Sequence, residues 1–498
     1  MPLPKLTNDQ RIAVSSAHRR VFIEAPPGAG KTTVAAARFG VLRFNRSTGS
    51  GRRAVAALSF TRSATRELYG RIRERWGSTA VAWPNSVTTI DGLICSIVEY
   101  LLRAGVITWP GGHTALTVLD TWRGHRGYRW LEGGYRRVAA IANDRSVTSV
   151  ASRIATPQFA IGGREPFHAH LARGLCTHEE MRDVLLAALR LDDVRQAISD
   201  HLARTVGHLV VDEVFDANLL DLGLIEVASE VDVAITLVGD PWQALYGFRG
   251  ARPELVPQLL GDGAYQSLPL TESFRFQSNE MLALSIALRG GHPVALDVGH
   301  EFDVVLAAKW DDLWRAGETV LPMSFGRTTN KTDAAAILLL DQLVYSAFGH
   351  HAIFLPEALV LLDLSFEAYA GRGQSVLGGV LDNLSRATSE ADRRTTLDLL
   401  RSAVKTLGSP RRPPSGNADA EQRQLDRLAA LASRVRASSL VPGMTIHQAK
   451  GREWDRVGVA LTAAEIDHLA GGLMQDKDIH RALYVALTRA RQRVSLVA

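Results

Sequence analysis

At 498 residues the chain is too long for one ordinary hydrophobic core and suits two to four domains. Hydrophobic residues at 46% and charged ones at 22% are ordinary for a soluble globular protein. The net charge of +5 and a pI near 9.3 fit a polyanionic partner without requiring one. Seven of the 57 basic residues are lysines; the rest are arginines, whose planar fork suits phosphate, although base composition of the genome produces the same bias. The two cysteines, Cys95 and Cys176, are far apart in the chain and cannot supply a zinc site or a four-cysteine iron–sulfur cluster, and a disulfide framework is not indicated. The N-terminus lacks the apolar core of a signal peptide, and runs such as 334–340 are far shorter than the roughly 20 residues a membrane span needs. A cytoplasmic protein with no membrane partner is the default expectation.

The first expected unit is a strand over 21–25, a glycine-rich turn, and a helix beginning near Lys31. A polar loop over 45–53 leads to a second buried strand at 54–60. From 101 to 203 the chain is rich in Arg, Gly, Trp and His and lacks a parallel-sheet pattern, which predicts an inserted, mostly helical subdomain. Apolar runs at 208–211 and 233–238 then end in Asp212 and in Gly239-Asp240. Strand, helix and strand in this rhythm predict a parallel sheet covered by helices, with ligands at the carboxyl ends of its strands. A second α/β pattern starts after Pro269 and finishes with strands at 457–461 and 494–497. It is interrupted by a Pro-rich linker at 409–416 and by a helix with Leu425, Leu428, Leu431 and Val435 on one face. No internal repeat is visible.

Ala25-Pro-Pro-Gly-Ala-Gly-Lys31-Thr32 has the form of a phosphate-binding loop in which Ala replaces the first Gly. Its backbone N–H groups would cradle phosphate oxygens at a helix N-terminus, Lys31 would reach the β/γ-phosphates, and the Thr32 hydroxyl would ligate Mg²⁺. The plain alternative is a glycine-rich strand-to-helix turn. Val-Val-Asp212-Glu213 closes a hydrophobic strand as a metal-and-base pair should. Asp212 would hold Mg²⁺ through water, and Glu213 would orient or deprotonate the attacking water. Acidic pairs after strands are common in solvated turns; the phosphate loop upstream favours the catalytic reading.

From residue 6 to 496 the sequence resembles UvrD/Rep-type helicases of superfamily 1. Leu6-Thr-Asn-Asp-Gln10 is similar to the family's adenine-reading element, and 58–71, beginning Leu-Ser-Phe-Thr-Arg, to a DNA-contacting motif. Gly239-Asp-Pro-Trp-Gln-Ala-Leu-Tyr-Gly-Phe-Arg-Gly-Ala251 resembles the third motif, and Leu270-Thr-Glu-Ser-Phe-Arg275 the opening of the second lobe. Residues 326–330, 445–454 and 484–490 complete the set in order. The resemblance implies two RecA-like lobes. The first part of lobe 1A spans 1–100, a 1B-like insertion 101–203, and the rest of 1A 204–268. Lobe 2A then spans 269–345 and 441–498, around a reduced 2B-like insertion and linker at 346–440.

The same resemblance assigns an ATP site to Gln10, Ala25, Pro26, Gly28, Ala29, Gly30, Lys31, Thr32, Thr33, Phe274, Arg275, Glu453 and Arg489. Gln243 would sense the γ-phosphate, Phe274 would stack on the base and Glu453 would contact the ribose. Arg275 and Arg489, both from the second lobe, would clamp the γ-phosphate on lobe closure; otherwise both read as surface charge. Phe60, Thr61, Tyr246, Phe248, Arg249 and His447 would contact single-stranded DNA, with core packing the alternative for Phe60.

Four positions depart from the family pattern. Phe215 stands for a Gln and cannot make an amide's hydrogen bonds. Ser273 replaces an Asn, Asp91 a His in a DNA-contacting motif, and Thr33 an Arg that sandwiches adenine in several relatives. Only about 170 residues separate Arg275 from Thr445, so the 2B-like insertion must be small, and nothing after Arg489 has room for a fused nuclease. The implied function is an ATP- and Mg²⁺-dependent translocase and helicase, moving 3′ to 5′ on single-stranded or tailed duplex DNA, in repair or antiviral defence. In size the chain is similar to the helicase subunit of bacterial antiviral (Gabija-type) systems, which act beside a separate nuclease subunit. A regulatory ATPase that senses DNA or nucleotide for such a nuclease, or a scaffold that only binds nucleic acid, are the other readings.

Overall fold

The structure, a computed structural model, describes residues 5–45, 53–120, 122, 131–132, 135–153, 164–326, 331–410 and 418–497. Most of the expected loop at 45–53, most of the linker at 409–416, and 327–330 of the motif at 326–330 lie outside the described residues. The chain divides into two compact units, Met1–Arg275 and Phe276–Ala498.

In the first unit the strands are β1 (Arg20–Glu24), β2 (Ala54–Ser59), β3 (Ser86–Thr89), β4 (Thr117–Leu119), β5 (Leu131–Glu132), β6 (Tyr135–Ile141), β7 (Val147–Arg153), β8 (Leu175–Thr177), β9 (Val206–Val211), β10 (Ala234–Gly239) and β11 (Gln266–Ser267). Six of them form one all-parallel sheet in the order β11-β1-β10-β9-β2-β3. Both faces are covered, so these strands read as near-continuous apolar runs. Alternation still assigns each side chain to a face. Val21, Ile23, Val55 and Ala57 pack with helices Lys31–Phe44 and Arg62–Trp76. Phe22, Ala56 and Leu58 join the core built on helices Ile90–Arg103 and Leu219–Glu230.

The insertion leaves after helix Ile90–Arg103 and returns through helix Asp192–Thr205, which runs into β9 without a loop. The boundaries expected at 100/101 and 203/204 therefore fall inside helices, because no glycine or proline interrupts either one there. Besides the helices Arg164–Ala172, His178–Ala188 and Asp192–Thr205, the insertion holds a parallel pair, β4 with β8, and an antiparallel sheet, β5-β6-β7. That sheet was not foreseen; its two long strands, one rich in Arg and Ala and the other in Ser and Val, carry little apolar alternation.

The second unit contains β12 (Val298–Gly299), β13 (Val304–Ala307), β14 (Val320–Pro322), β15 (Val441–Thr445), β16 (Trp454–Val459) and β17 (Ala490–Val497). They make a second all-parallel sheet, in the order β12-β17-β16-β13-β15-β14. Between β14 and β15 the described residues form five helices, Lys331–Phe348, Leu355–Leu362, Phe366–Arg386, Glu390–Thr406 and Ala418–Arg436. The expected boundary at 345/346 falls within the first of these. The fully buried Asp341 joins the first of these to the third and to the link before the second, accepting from Tyr369 Oη and from the Ala352 N–H, both at 2.6 Å. No helix among the described residues is long and apolar enough to cross a membrane.

One buried cation anchors the start of the first unit. Arg38, 1% exposed, donates to Thr236 Oγ1 at 2.7 Å and to the carbonyls of Ala13, Val14 and Ser16 at 2.9–3.3 Å. These carbonyls close helix Asn8–Ser15, whose last turn has no basic residue of its own. Burial pushes the guanidinium pKa down to about 10. Arg38→Met should leave those carbonyls unsatisfied and lower the stability of the first unit by about 2–3 kcal/mol, read from its urea-unfolding midpoint.

Candidate functional site

The carboxyl ends of β1, β10 and β9 lie side by side and carry the candidate nucleotide site. After β1, the Ala25 N–H bonds the Gly239 carbonyl at 3.0 Å, joining the loop to the end of β10. Gly28 and Gly30 have φ of +75° and +83°, left-handed backbone that favours glycine. A Cβ on Gly28 would also strike the Arg275 Cβ, and one on Gly30 would come within 2.9 Å of Gln10 Nε2. Gln10 is buried, donates from Nε2 to the Ala29 carbonyl at 2.9 Å, and accepts the Thr7 N–H at 3.1 Å. It braces the loop and caps its own helix at once. Ala25 and Ala29 are fully buried and Pro26 is half-buried beside them.

Helix Lys31–Phe44 starts at the loop, so Lys31 and Thr32 sit where its free N–H groups favour an anion. Lys31 Nζ is 3.1 Å from Glu213 Oε1. Glu213 follows the Walker-type strand β9 with φ +61°, strained for a residue bearing a side chain. Asp212 is 2% exposed. Burial first, and then the Glu213 carboxylate, push its carboxyl well above the usual carboxylate range, with Lys31 opposing. Its Oδ1 is buried with no hydrogen-bond partner, while Oδ2 lies 3.5 Å from Thr32 Oγ1. Two hard oxygens side by side, one without a donor, fit a magnesium ion that takes its other ligands from phosphate and water.

Between these strands, β10 ends in Asp240, fully buried, whose Oδ2 accepts Gln243 Nε2 at 2.7 Å. Gln243 is thereby held at the centre of the site; the sequence reading named it but missed the aspartate that positions it. It also missed Arg71, which donates to Thr33 Oγ1 at 2.6 Å and pairs with Glu67 at 2.8 Å. An arginine on the next helix thus reaches the position at which several relatives carry one.

The segment 270–275 was expected to open the second lobe, but it belongs to the first unit. It is stitched onto the phosphate loop. The Leu270 N–H bonds the Glu24 carbonyl at 2.8 Å, Ser273 Oγ the Pro27 carbonyl at 2.7 Å, and the Phe274 N–H the Gly28 carbonyl at 3.0 Å. Ser273 has therefore a definite role in place of the family's Asn. Arg275 is carried against Gly28, and the Phe274 ring, 59% exposed, is open to stacking. In the second unit, Arg489 is 1% exposed and is not surface charge; it donates to the Val485 and Arg452 carbonyls at 3.0 and 3.4 Å. Glu453 is exposed, with Arg491 at 4.0 Å.

Of the candidate DNA contacts, Tyr246, Phe248 and Arg249 share one short helical turn, Tyr246–Arg249. Phe248 is 66% exposed, its ring is 6.1 Å from that of Tyr246, and the Arg249 guanidinium lies 5.0 and 5.4 Å from the two ring centres. Two neighbouring rings, tilted at 60° to each other, with a cation beside them suit a nucleobase and its phosphate. Phe60 packs partly against the core, Thr61 caps helix Arg62–Trp76 through the Ala64 N–H at 3.1 Å, and His447 sits half-buried in helix Ile446–Ala449. Phe215 is core: 4% exposed, edge-on to Phe22 at 6.1 Å, beneath Gly239. Asp91 is engaged by Arg182 at 2.6 Å.

Residues 10–249 match the AAA domain family, and 443–497 the UvrD-like helicase C-terminal domain. The chain is 24% identical to the ATP-dependent DNA helicase UvrD2 of Mycobacterium tuberculosis over 559 residues, covering 99% of this chain and 78% of that protein. It is 24% identical to the ATP-dependent DNA helicase Rep of Escherichia coli over 301 residues, covering 57% of this chain and 43% of Rep. It is likewise 24% identical to the ATP-dependent DNA helicase srs2 of Schizosaccharomyces pombe over 328 residues, covering 57% and 34%.

Gly28→Ala should weaken binding of a fluorescent ATP analogue at least about tenfold, because both the left-handed backbone and the Arg275 contact refuse a side chain. An unchanged affinity would remove Gly28 from the site.

Proposed function

The chain belongs to the UvrD/Rep-type helicases of superfamily 1, and we propose that it is an ATP-driven motor that moves 3′ to 5′ along single-stranded DNA and displaces the opposing strand. The observation that carries this reading is the convergence of Lys31, Thr32, Asp212, Glu213 and Gln243 at three neighbouring strand ends.

The loop N–H groups and the helix N-terminus receive the phosphates, and Lys31 neutralises the β/γ oxygens. Thr32 and Asp212 would hold Mg²⁺, which when bound neutralises charge on the phosphate oxygens. Phosphate competes with Glu213 for Lys31, so nucleotide binding frees the Glu213 carboxylate to orient and deprotonate water. Gln243, aimed by Asp240, reports the γ-phosphate. Arg275, fixed over the loop by three hydrogen bonds of its segment, supplies a cation for the transition-state charge. Phe274 stacks on adenine, and Gln10 and Thr33 border it. Tyr246, Phe248 and Arg249 form the centre of the DNA track, with Phe60 and Thr61 contributing to it. DNA repair and antiviral defence are the two cellular settings this chemistry serves.

A second reading is favoured by one observation, the burial of Phe215 where the family places an amide. It is a DNA-sensing ATPase that regulates a separate nuclease subunit and unwinds weakly alone. Strand displacement by the isolated chain on 3′-tailed and 5′-tailed duplexes separates the two, efficient displacement from the 3′ tail supporting the motor.

Lys31→Ala should abolish DNA-stimulated ATP hydrolysis and leave single-stranded DNA binding largely intact; normal turnover would refute the site. Phe248→Ala should weaken binding to single-stranded DNA by about 1–3 kcal/mol, measured by fluorescence anisotropy, with little dependence on base sequence.

A further inference from the structure

Arg182, on inserted helix His178–Ala188, makes two ion pairs that join segments far apart in the chain. Its Nε donates to Asp91 Oδ1 at 2.6 Å and its Nη1 to Asp221 Oδ1 at 2.9 Å. Asp91 is in the first turn of helix Ile90–Arg103, directly after β3. Asp221 is almost fully buried, and its second oxygen accepts the Asn218 N–H at 3.0 Å in a capping box at the start of helix Leu219–Glu230. Asn218 follows Glu213 by five residues. The Ala217 carbonyl accepts the Arg252 N–H at 2.8 Å, and Asn218 bridges Ala251, two residues past the aromatic turn that ends at Arg249. One guanidinium, with donors diverging as only arginine's do, thus meets the start of one helix and the cap of another.

We infer that Arg182 is a positioning residue that couples the inserted segment to both the Glu213 loop and the Tyr246–Arg249 turn, so that DNA engagement is transmitted to ATP turnover through the Asp91–Arg182–Asp221 triad. This rests on the motor reading above. The triad offers a route that does not depend on the side chain at position 215, where a phenyl ring lies in the core. It also explains Asp91: its carboxylate is committed to Arg182 and belongs to the frame under the DNA-contacting region. A second, exposed pair, Arg62 with Asp120 at 2.9 Å, ties the insertion to helix Arg62–Trp76 and adds little on its own.

The test uses the full chain and the ratio of ATP turnover with and without a saturating oligothymidine. Asp91→Asn removes one arm while keeping the buried Arg182–Asp221 pair, so the protein folds. The ratio should fall about three- to tenfold, with DNA-free turnover and its KM for ATP within about twofold of wild type. Asp91→Glu, which retains the carboxylate, should restore most of it. An unchanged ratio in Asp91→Asn overturns the inference, as does a lowered melting temperature with both turnovers reduced in proportion, since that marks a purely structural brace. A wild-type chain that DNA does not stimulate would instead sink the motor reading itself.

Discussion

Placement of β10 between β1 and β9 is the constraint on which the nucleotide end of the first unit depends. Parallel pairing brings all three carboxyl ends to one edge, at the spacing of neighbouring strands, about 4.8 Å. The phosphate loop leaves from β1, the acidic pair from β9, and Asp240 with Gln243 from β10 between them. A residue at the middle strand's end is necessarily near both others. The Ala25–Gly239 hydrogen bond extends the ladder one step past β1 and sets where the loop begins. Burial on both faces holds the register, because a one-residue slip would send Val21 and Ile23 to the face of Phe22.

Much of this was legible in the sequence, for a physical reason. Apolar runs that end in Gly, Asp or Glu mark buried parallel strands and their functional ends together, so β1, β9 and β10 could be placed with their motifs. The antiparallel sheet at 135–153 had no comparable signal, since its strands mix Arg, Ala, Ser and Val without a regular apolar face. The division after Arg275 was missed by several residues. Segment 270–275 is held by hydrogen bonds to Glu24, Pro27 and Gly28, backbone partners roughly 250 positions away that no local pattern announces.

Departures from the family pattern divide by what surrounds them. Ser273 bonds the loop carbonyl of Pro27, Thr33 receives Arg71 from the neighbouring helix, and Asp91 is met by Arg182 from the insertion. In each, a polar substitution is answered by a polar partner elsewhere in the same unit. Phe215 differs: it is answered by packing, against Phe22 and under Gly239. Sequence alone identified all four positions, but the partners of three are separated from them by tens to hundreds of residues, which is why only the structure could say what each one does.

The ring of Phe215 and the bare backbone of Gly239 also constrain the order in which this site can change over evolutionary time. A Cβ at 239 would meet the ring at 2.8 Å, so any side chain there is barred while the phenyl group remains. Exchanging the phenyl group for an amide first would open a void at the end of β10 and sink an amide among apolar neighbours. The ring at 215 thus fixes what position 239 can carry, and that position stays bare for as long as the ring lies beneath it.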